Sequence, residues 1–179
     1  VATDDLGIIK RICGVDVAYA GDTAYCSAVV MKGQSVVESV DLQTAVTHPY
    51  VPGLLMLREA GPIFHALSML RGGYDLLLVG GHGLLHPRRC GLACYVGVTL
   101  DKPTIGVAKS RLCGTVRPDG FVEVDGEVLG YAVSKKLYVS VGHKISLKTA
   151  ISIVKEGVEP LGQADINSRA QKRRKGLRS

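Results

Sequence analysis

The sequence predicts an α/β domain with a mixed central sheet, in which an antiparallel meander is followed by parallel strands and helices flank the sheet. Three observations support this prediction. Short β-branched segments separated by brief turns dominate the first quarter of the chain. Longer segments with apolar residues at helical spacing come next. These alternate with short, continuously apolar runs, which are typical of strands buried on both faces.

The first three predicted strands cover residues 9–20, 23–31 and 35–42. They are separated by the turn sequences Gly-Asp and Lys-Gly-Gln. Parallel neighbours would need a crossover of about a dozen residues or more, so such short connections indicate antiparallel pairing. The chain is therefore expected to begin with a three-stranded meander.

The next part of the chain predicts alternating helices and strands. Two prolines in residues 47–52 indicate a stiff, extended loop. The helix that follows is expected to kink or break at Gly61-Pro62, and the later helix from Ser146 is expected to be capped by that residue. The predicted elements are a helix at 53–71, a strand at 74–79, a helix at 89–100, a strand at 103–108, a polar hairpin at 121–128, an edge strand at 136–141 and a helix at 146–156.

Composition narrows the class of protein. A length of 179 residues suits one domain, 1–179. A net charge of +6 favours a polyanionic partner, with nucleic acid ahead of an anionic membrane. No run reaches the roughly 18 apolar residues of a spanning helix, and Val1 to Lys10 does not resemble a signal peptide. We expect a soluble, cytoplasmic protein without a membrane partner. The five cysteines include no CxxC pair, so neither a disulfide framework nor a structural zinc site is indicated.

The segment 76–91, LLLVGGHGLLHPRRCG, is the best candidate for a binding site. In open α/β sheets, ligands bind beyond the carboxyl ends of strands, and the Gly-Gly pair lets the backbone approach a ligand closely. Arg88 and Arg89 would suit phosphate. The alternative is a buried strand followed by a solvated basic turn. A zinc site of His82, His86 and Cys90 would need a continuous helix, which Pro87 and the glycines oppose.

Asp16 is an acid in the middle of an otherwise apolar strand. Burying it is costly unless a cation or a partner compensates its charge. The element order β-β-β-α-β-α-β is that of the ribonuclease H-like fold, whose nucleases hold magnesium or manganese with carboxylates in the first strand and at the end of the fourth. The alternative is that Asp16 faces solvent through strand alternation.

Five blocks in one order make the chain resemble the endonuclease V family. They are GVDVAY at 14–19, YVPGLLMLRE at 50–59, GHGLLHPRRCGLA at 81–93, PTIGVAKSRLCG at 103–114 and LYVSVGHKIS at 137–146. The resemblance implies a monomeric, ribonuclease H-like enzyme of nucleic acid repair that depends on Mg²⁺ or Mn²⁺. It further implies hydrolysis of a phosphodiester one nucleotide 3′ to a deaminated base, chiefly inosine, in DNA or RNA.

The same resemblance assigns catalytic roles to four residues. Asp16 and Glu59 match metal ligands. Lys109 matches a lysine near the scissile phosphate, where a cation can stabilise the charge that develops in the transition state. Asp165 lies where a late helical His or Asp joins the site.

The resemblance also implies a strand wedge and a base pocket. The wedge consists of Pro49, Tyr50, Val51 and Pro52. Its tyrosine would stack in the space that the extruded base leaves. The pocket consists of Gly53, Leu55, Gly81, His86 and Gly91. Small residues let such a pocket close on a flat ring, and backbone N–H groups can read the O6 that separates hypoxanthine from adenine.

Gly80 departs from the family pattern, which has a metal-binding aspartate in a Val-Asp-Gly sequence where this chain has Val79-Gly80-Gly81. Asp75 lies roughly 16 Å back along the strand and cannot substitute. Losing a direct ligand should weaken metal binding and loosen its geometry. Two alternatives follow: an impaired nuclease, or a protein that binds deaminated nucleic acid without cutting it. A third is a scaffold domain without preference for inosine.

The basic tail, residues 169–178, carries six Lys and Arg residues. Such a run can grip backbone phosphates. A frayed, solvated end is the alternative.

Overall fold

The computed structural model describes residues 4–46, 48–49, 51–52 and 54–176, with the backbone alone for Leu55 and for 174–176. The strands in this part of the chain are β1 (Arg11–Ala20), β2 (Thr23–Lys32), β3 (Ser35–Ala45), β4 (Leu76–Gly80), β5 (Thr104–Ala108), β6 (Thr115–Val116), β7 (Phe121–Val124), β8 (Glu127–Ser134) and β9 (Leu137–His143). The helices are α1 (Leu55–Ser68), α2 (Leu92–Leu100), α3 (Leu147–Glu156) and α4 (Glu159–Gly176).

All the strands join one mixed sheet in the order β3-β2-β1-β4-β5-β9-β8-β7-β6. β1, β2 and β3 pair antiparallel, whereas β4 pairs parallel with both β1 and β5. The predicted meander and the predicted mixed sheet are therefore confirmed. The prediction of an edge strand at 136–141 is wrong. β8 is longer than the expected hairpin arm and pairs with β9, which places β9 between β8 and β5.

Side-chain alternation along β4 shows that helices cover both faces of the sheet. Leu77 and Val79 are fully buried in a cluster with residues of α1 and α2. Leu76 and Leu78 are fully buried in another cluster with residues of α3 and α4. Successive side chains of a strand point to opposite faces, so this continuously apolar strand needs a helical layer on each side.

Helix α1 runs without interruption through Pro62, so the expected break at Gly61-Pro62 does not occur. A proline inside a helix removes one backbone hydrogen bond. The helix buries Ile63, Ala66 and Leu67 in the cluster on the sheet, and that burial offsets the loss.

The C-terminal half of the chain ends in two helices. Ser146 caps α3 as predicted, because its Oγ accepts a hydrogen bond of 3.2 Å from the backbone N of Thr149. Helix α4 was not predicted as an element, and it continues into the basic tail as far as Gly176. No helix in the described ranges is long and apolar enough to cross a membrane.

Candidate active site

Gly14 brings the carboxyl groups of Asp16 and Asp165 together. A side chain at position 14 would overlap the backbone of Pro160 and Leu161, so the glycine allows α4 to cross β1 closely. Asp16 is two residues further along the strand and shares that face of the sheet. Asp165 is four residues beyond Leu161 and shares that face of the helix. The close crossing therefore places one acid beside the other.

Two cations hold Asp165 in its charged form. Lys109 places Nζ 2.9 Å from Oδ2 of Asp165. Arg169 donates from Nε to Oδ1 of Asp165 at 2.6 Å. Burial opposes ionisation of Asp165, but the hydrogen bonds from Arg169 and Lys109 outweigh it and lower the pKa of this carboxyl group.

Asp16 is in the opposite electrostatic situation. Burial raises the pKa of its carboxyl group, and the neighbouring carboxyl group of Asp165 raises it further, against a smaller opposing effect of Lys109. The side chain of Asp16 is half-buried against Asp165 and does not simply face solvent, which was the alternative interpretation. The half-buried acid lacks enough nearby positive charge to be ionised at low cost.

Glu59 is a second buried carboxyl group near Asp16. It lies on α1 and is 8% exposed. Burial and the charge of Asp16 raise the pKa of Glu59 to about 8. The neighbouring Arg58 places its guanidinium over the ring of Tyr19, 4.3 Å from the ring centroid. Glu59 therefore gains little from the adjacent arginine and, like Asp16, needs a compensating charge.

Gly80 ends β4 next to Asp16. Val15 pairs with Val79 in the parallel register of β1 and β4, so the residues that follow, Asp16 and Gly80, lie side by side. A Cβ atom at position 80 would overlap Oδ1 of Asp16. The Asp16 carboxylate thus occupies the volume into which a side chain at position 80 would extend. Asp75 lies at the other end of β4, where its carboxylate accepts hydrogen bonds from the backbone N of Lys10 and Arg11 at 2.8 Å.

The carboxylate oxygens of Asp16 and Glu59 are the kind of ligand that a hard divalent cation prefers. They provide fewer protein ligands than a complete metal site. Asp16 is half-buried and Glu59 is buried, and a cation would favour the ionisation of both carboxyl groups. Mg²⁺ accepts one or two carboxylates and completes its shell with water and substrate phosphate. Within the described residues, no group of three or more His, Cys, Asp or Glu side chains is arranged to hold a metal ion.

A cavity of about 350 Å³ opens beside Asp16 and Asp165. Asp16, Gly80, Lys109, Asp165 and Arg169 line one part of it. The remaining lining residues are apolar, small or weakly polar and are Val17, Gly81, His82, Val107, Ala108, Ser110, Leu137, Val158, Leu161 and Gly162. The cavity thus joins charged groups suited to a phosphate to a less polar wall suited to a sugar or a base.

Only part of the predicted base pocket lies at this cavity. Gly81 lines it, and its backbone N donates to the carbonyl O of Val107 at 2.9 Å. His86 and Gly91 are buried in the loop that joins β4 to α2 and are not among the described lining residues. The Nδ1 atom of His86 accepts a hydrogen bond of 3.1 Å from the backbone N of Arg88. Gly53 and the side chain of Leu55 lie outside the description.

The predicted wedge lies on the surface as far as it is described. Pro49, Val51 and Pro52 are exposed, and Val51 exposes 40% of its area. Tyr50 lies outside the described residues. The loop from 81 to 91 contains no helix, so His82, His86 and Cys90 do not share a helical face.

Several residues near the acids were not identified from the sequence. Arg169 was assigned only to a basic tail, although a basic residue four positions after Asp165 on a helix is a recognisable ion-pair pattern. His82 was assigned no role, but its Nε2 lies 2.9 Å from the carbonyl O of Ser110 and links the loops after β4 and β5. A second cavity, of about 310 Å³, joins Tyr19 to Lys172 and Arg173 of α4. The basic tail therefore lies next to the candidate site.

Known proteins support a nuclease assignment for this arrangement. The family model of endonuclease V matches residues 2–165 of the chain. The endonuclease V of Thermofilum pendens is 49% identical over 158 residues, which are 82% of this chain and 68% of that protein. The residues matched by the family model include Asp16, Glu59, Gly80 and Lys109.

Solved structures of the same family share the fold. The catalytic domain of human endonuclease V has a TM-score of 0.82 and 32% identity, covering 93% of this chain and 84% of that one. Endonuclease V of Ciona intestinalis, in complex with a 24mer DNA containing an inosine followed by a ribo-adenosine, has a TM-score of 0.80 and 28% identity, covering 93% of this chain and 87% of that one. The fold is the ribonuclease H-like fold that the sequence predicts. On the family match and these identities, the chain belongs to the endonuclease V family of nucleases.

Proposed function

We propose that this protein recognises deaminated bases, chiefly inosine, in DNA or RNA and hydrolyses a phosphodiester 3′ to the base, with Mg²⁺ or Mn²⁺ as cofactor. The observation that carries the proposal is the half-buried acid Asp16, which lines a cavity together with Lys109 and Arg169 and has the buried acid Glu59 nearby. The inosine-containing DNA bound by the Ciona protein supports the choice of substrate. We expect a monomer that acts in the cytoplasm in nucleic acid repair.

The reaction requires an attacking water, a stabilised phosphate and a leaving oxygen. Water adds to phosphorus, one P–O ester bond breaks, and the departing oxygen takes up a proton. Lys109 lines the cavity with its ammonium group and can stabilise the negative charge that grows on the phosphate oxygens. Its present partner, Asp165, holds that ammonium group beside Asp16.

Asp16 and Glu59 would hold the divalent cation, with Asp165 beside them. When bound, the cation supplies Lewis acidity and makes water a better nucleophile at neutral pH. Because Gly80 provides no ligand, we propose that the site is impaired and that cleavage by this chain is weak. A misplacement of reacting groups by about 1 Å can cost on the order of 100-fold in rate.

We assign recognition of the base to the glycine-rich loop after β4 and to the wedge Pro49–Pro52. Gly81 lines the cavity, and its own N–H is already bonded to the carbonyl O of Val107. Reading of the O6 of hypoxanthine therefore falls to other backbone N–H groups of this loop. An aromatic ring at position 50 can take the place of the extruded base in the stack.

A protein that binds inosine-containing nucleic acid without cutting it is the second candidate. Two observations favour it: Gly80 has no side chain, and Asp165 is already paired with Lys109 and Arg169. Both candidates share the base pocket and the wedge, and they differ in the chemical step alone.

The two candidates are separated by measuring binding and cleavage on the same strands. Fluorescence anisotropy with single strands that differ only in one inosine or adenosine gives the preference for the base. A nicking assay with Mg²⁺, Mn²⁺ or EDTA on these strands gives the chemistry. Weak, metal-dependent cleavage next to inosine supports the nuclease, whereas inosine preference without cleavage in either metal supports the binding protein. Equal binding of both strands would contradict both.

A further inference from the structure

The loop from Gly81 to Gly91, here called the β4–α2 loop, is tied to the centre of the sheet near its start, and its end is bonded back to that start. Near its start, the backbone N of Gly83 donates to Oγ of Ser140 at 2.9 Å, and that of Leu84 donates to the carbonyl O of Val141 at 2.7 Å. At its end, Gly91 donates to the carbonyl O of Gly83 at 3.0 Å. The middle of the loop is held by a different part of the protein.

That part is the hairpin of β7 and β8. Leu85 is fully buried between Val122 of β7 and Leu129 of β8. Gly130 leaves space for it, because a Cβ at position 130 would lie 2.8 Å from Cδ2 of Leu85. The apolar contact fixes the first half of the loop on the hairpin.

Arg89 fixes the second half of the loop on the hairpin turn. Its Nη1 donates to Oε2 of Glu127 at 2.9 Å, and its Nη2 donates to the carbonyl O of Val124 at 3.2 Å. The same Nη2 lies 3.7 Å from Oδ2 of Asp125. These three acceptors belong to one tight turn. The fork-shaped guanidinium can satisfy several of them at once, which the point charge of a lysine cannot do.

The backbone of Arg89 is also unusual. Its φ is 54°, in the left-handed region that non-glycine residues seldom adopt. Its N–H donates to the carbonyl O of His86 at 2.9 Å. A residue in this conformation needs support from its surroundings, and the three contacts of the side chain provide that support.

The hairpin itself carries none of the residues assigned to the metal, the wedge or the base pocket. We propose that Arg89 is a positioning residue: by holding the β4–α2 loop on the turn of β7 and β8, it sets the selectivity of Gly81 and its neighbours for the deaminated base. This proposal rests on the proposed function, because it assumes that the loop reads the base. A pocket that discriminates one exocyclic group must be held within a few tenths of an ångström, which a loop alone does not ensure.

The test compares Arg89→Ala with two matched variants. Arg89→Ala should lower the ratio of inosine to adenosine affinity about tenfold, with affinity for the adenosine strand changed less than twofold. Glu127→Ala should also lower this ratio. The charge changes of the two variants are opposite, so a shared effect on the ratio cannot come from net charge. Arg88→Ala removes a positive charge from an exposed position of the same loop and should weaken binding to both strands equally. Arg89→Lys should fall between the parent and Arg89→Ala.

A double variant separates positioning from direct contact with the nucleic acid. If Arg89 acts through the turn, Arg89→Ala with Glu127→Ala should be no worse than Arg89→Ala alone. If Arg89 instead touches a phosphate, Glu127→Ala should leave the ratio intact, and the proposal fails. Amide hydrogen exchange of residues 83–91 should become faster in Arg89→Ala and in Glu127→Ala, and unchanged exchange in both would also overturn it.

Failure of this proposal is distinguishable from failure of the proposed function. A parent protein without any preference for inosine would overturn the proposed function, and this inference with it. A parent that prefers inosine, with an Arg89→Ala variant that keeps the preference, would overturn this inference alone.

Discussion

The Asp16 carboxylate fills the space that a side chain at position 80 would need, because Gly80 has none. The two residues lie side by side on parallel strands. The carboxyl group of Asp16 also lies against that of Asp165. A substitution at position 80 acts on both the number of ligands and the orientation of Asp16.

Restoring an acid at position 80 should restore activity. Gly80→Asp should raise metal-dependent cleavage of an inosine-containing strand about 100-fold or more, because it adds a ligand and turns Asp16 away from Asp165. Gly80→Asn is the matched control, since it has nearly the same shape without the charge and should stay near the parent rate. The measurement is a nicking assay in Mg²⁺ and in Mn²⁺. Brisk and equal cleavage by parent and Gly80→Asp would show that the metal site is assigned wrongly.

Enlarging Gly81 should remove selectivity for the base. Gly81 lines the cavity, and a Cβ there would lie 3.2 Å from Cδ2 of Leu92, so a leucine would crowd Leu92 and shift the loop that borders the cavity. Gly81→Leu should bring the inosine and adenosine affinities to within about twofold of each other, while affinity for the backbone stays nearly intact. Gly81→Ala should have an intermediate effect. Gly61→Leu, at an exposed helical position with open space, serves as control. Selectivity that survives Gly81→Leu would place the pocket elsewhere.

Tyr50 should contribute stacking energy. Tyr50→Ala should weaken binding to an inosine-containing strand by about 1 to 3 kcal/mol if its ring stacks on a base. Tyr95→Ala is the control, because that half-exposed ring packs on Phe64 with centroids 6.1 Å apart. Equilibrium binding at two salt concentrations measures the effect. A Tyr50→Ala protein with the parent affinity would make this residue an ordinary surface aromatic.

The stability of the metal-free protein should fall as the pH rises. The pKa of Glu59 is raised from its ordinary value of 4.5 to about 8, so its contribution to stability is fully present below pH 4.5 and is lost as the pH rises through 8. In EDTA, the thermal midpoint should drop by about 5 °C between pH 5 and pH 8. Glu59→Gln should flatten this slope, because its side chain cannot ionise. Equal slopes in the parent and in Glu59→Gln would contradict the assignment of the raised pKa to Glu59.

Mg²⁺ should reverse this loss of stability at high pH if Asp16 and Glu59 bind it. At pH 8, adding Mg²⁺ to the EDTA-treated parent should raise the thermal midpoint, because a ligand that binds only the folded state stabilises it. Glu59→Gln should show a smaller rise. A midpoint that does not respond to Mg²⁺ or Mn²⁺ in the parent would favour the binding protein over the nuclease.

The sequence by itself determined the meander and the alternation of helices and strands that follows it, and it singled out Asp16 and Gly80 as candidates. These features depend on local information: turn length decides antiparallel pairing, and an acid within an apolar strand is costly unless compensated. The cap of Ser146 is local in the same sense. The place of Gly80 at the end of a strand is local as well, because the apolar run before it predicts the strand.

Only the tertiary structure decided how the acids are partnered. Asp165 is 149 positions from Asp16 in the numbering, and their proximity depends on the close crossing of α4 over β1 at Gly14. The ion pair of Asp165 with Lys109 depends on the same crossing, whereas its pair with Arg169 is local to α4. In a similar way, α1 continues through Pro62 because burial on the sheet outweighs a local preference, and β9 lies inside the sheet because β8 pairs with it. Contacts between distant segments carry no periodic signal in the sequence, so local patterns predict the elements but not which side chains they bring together.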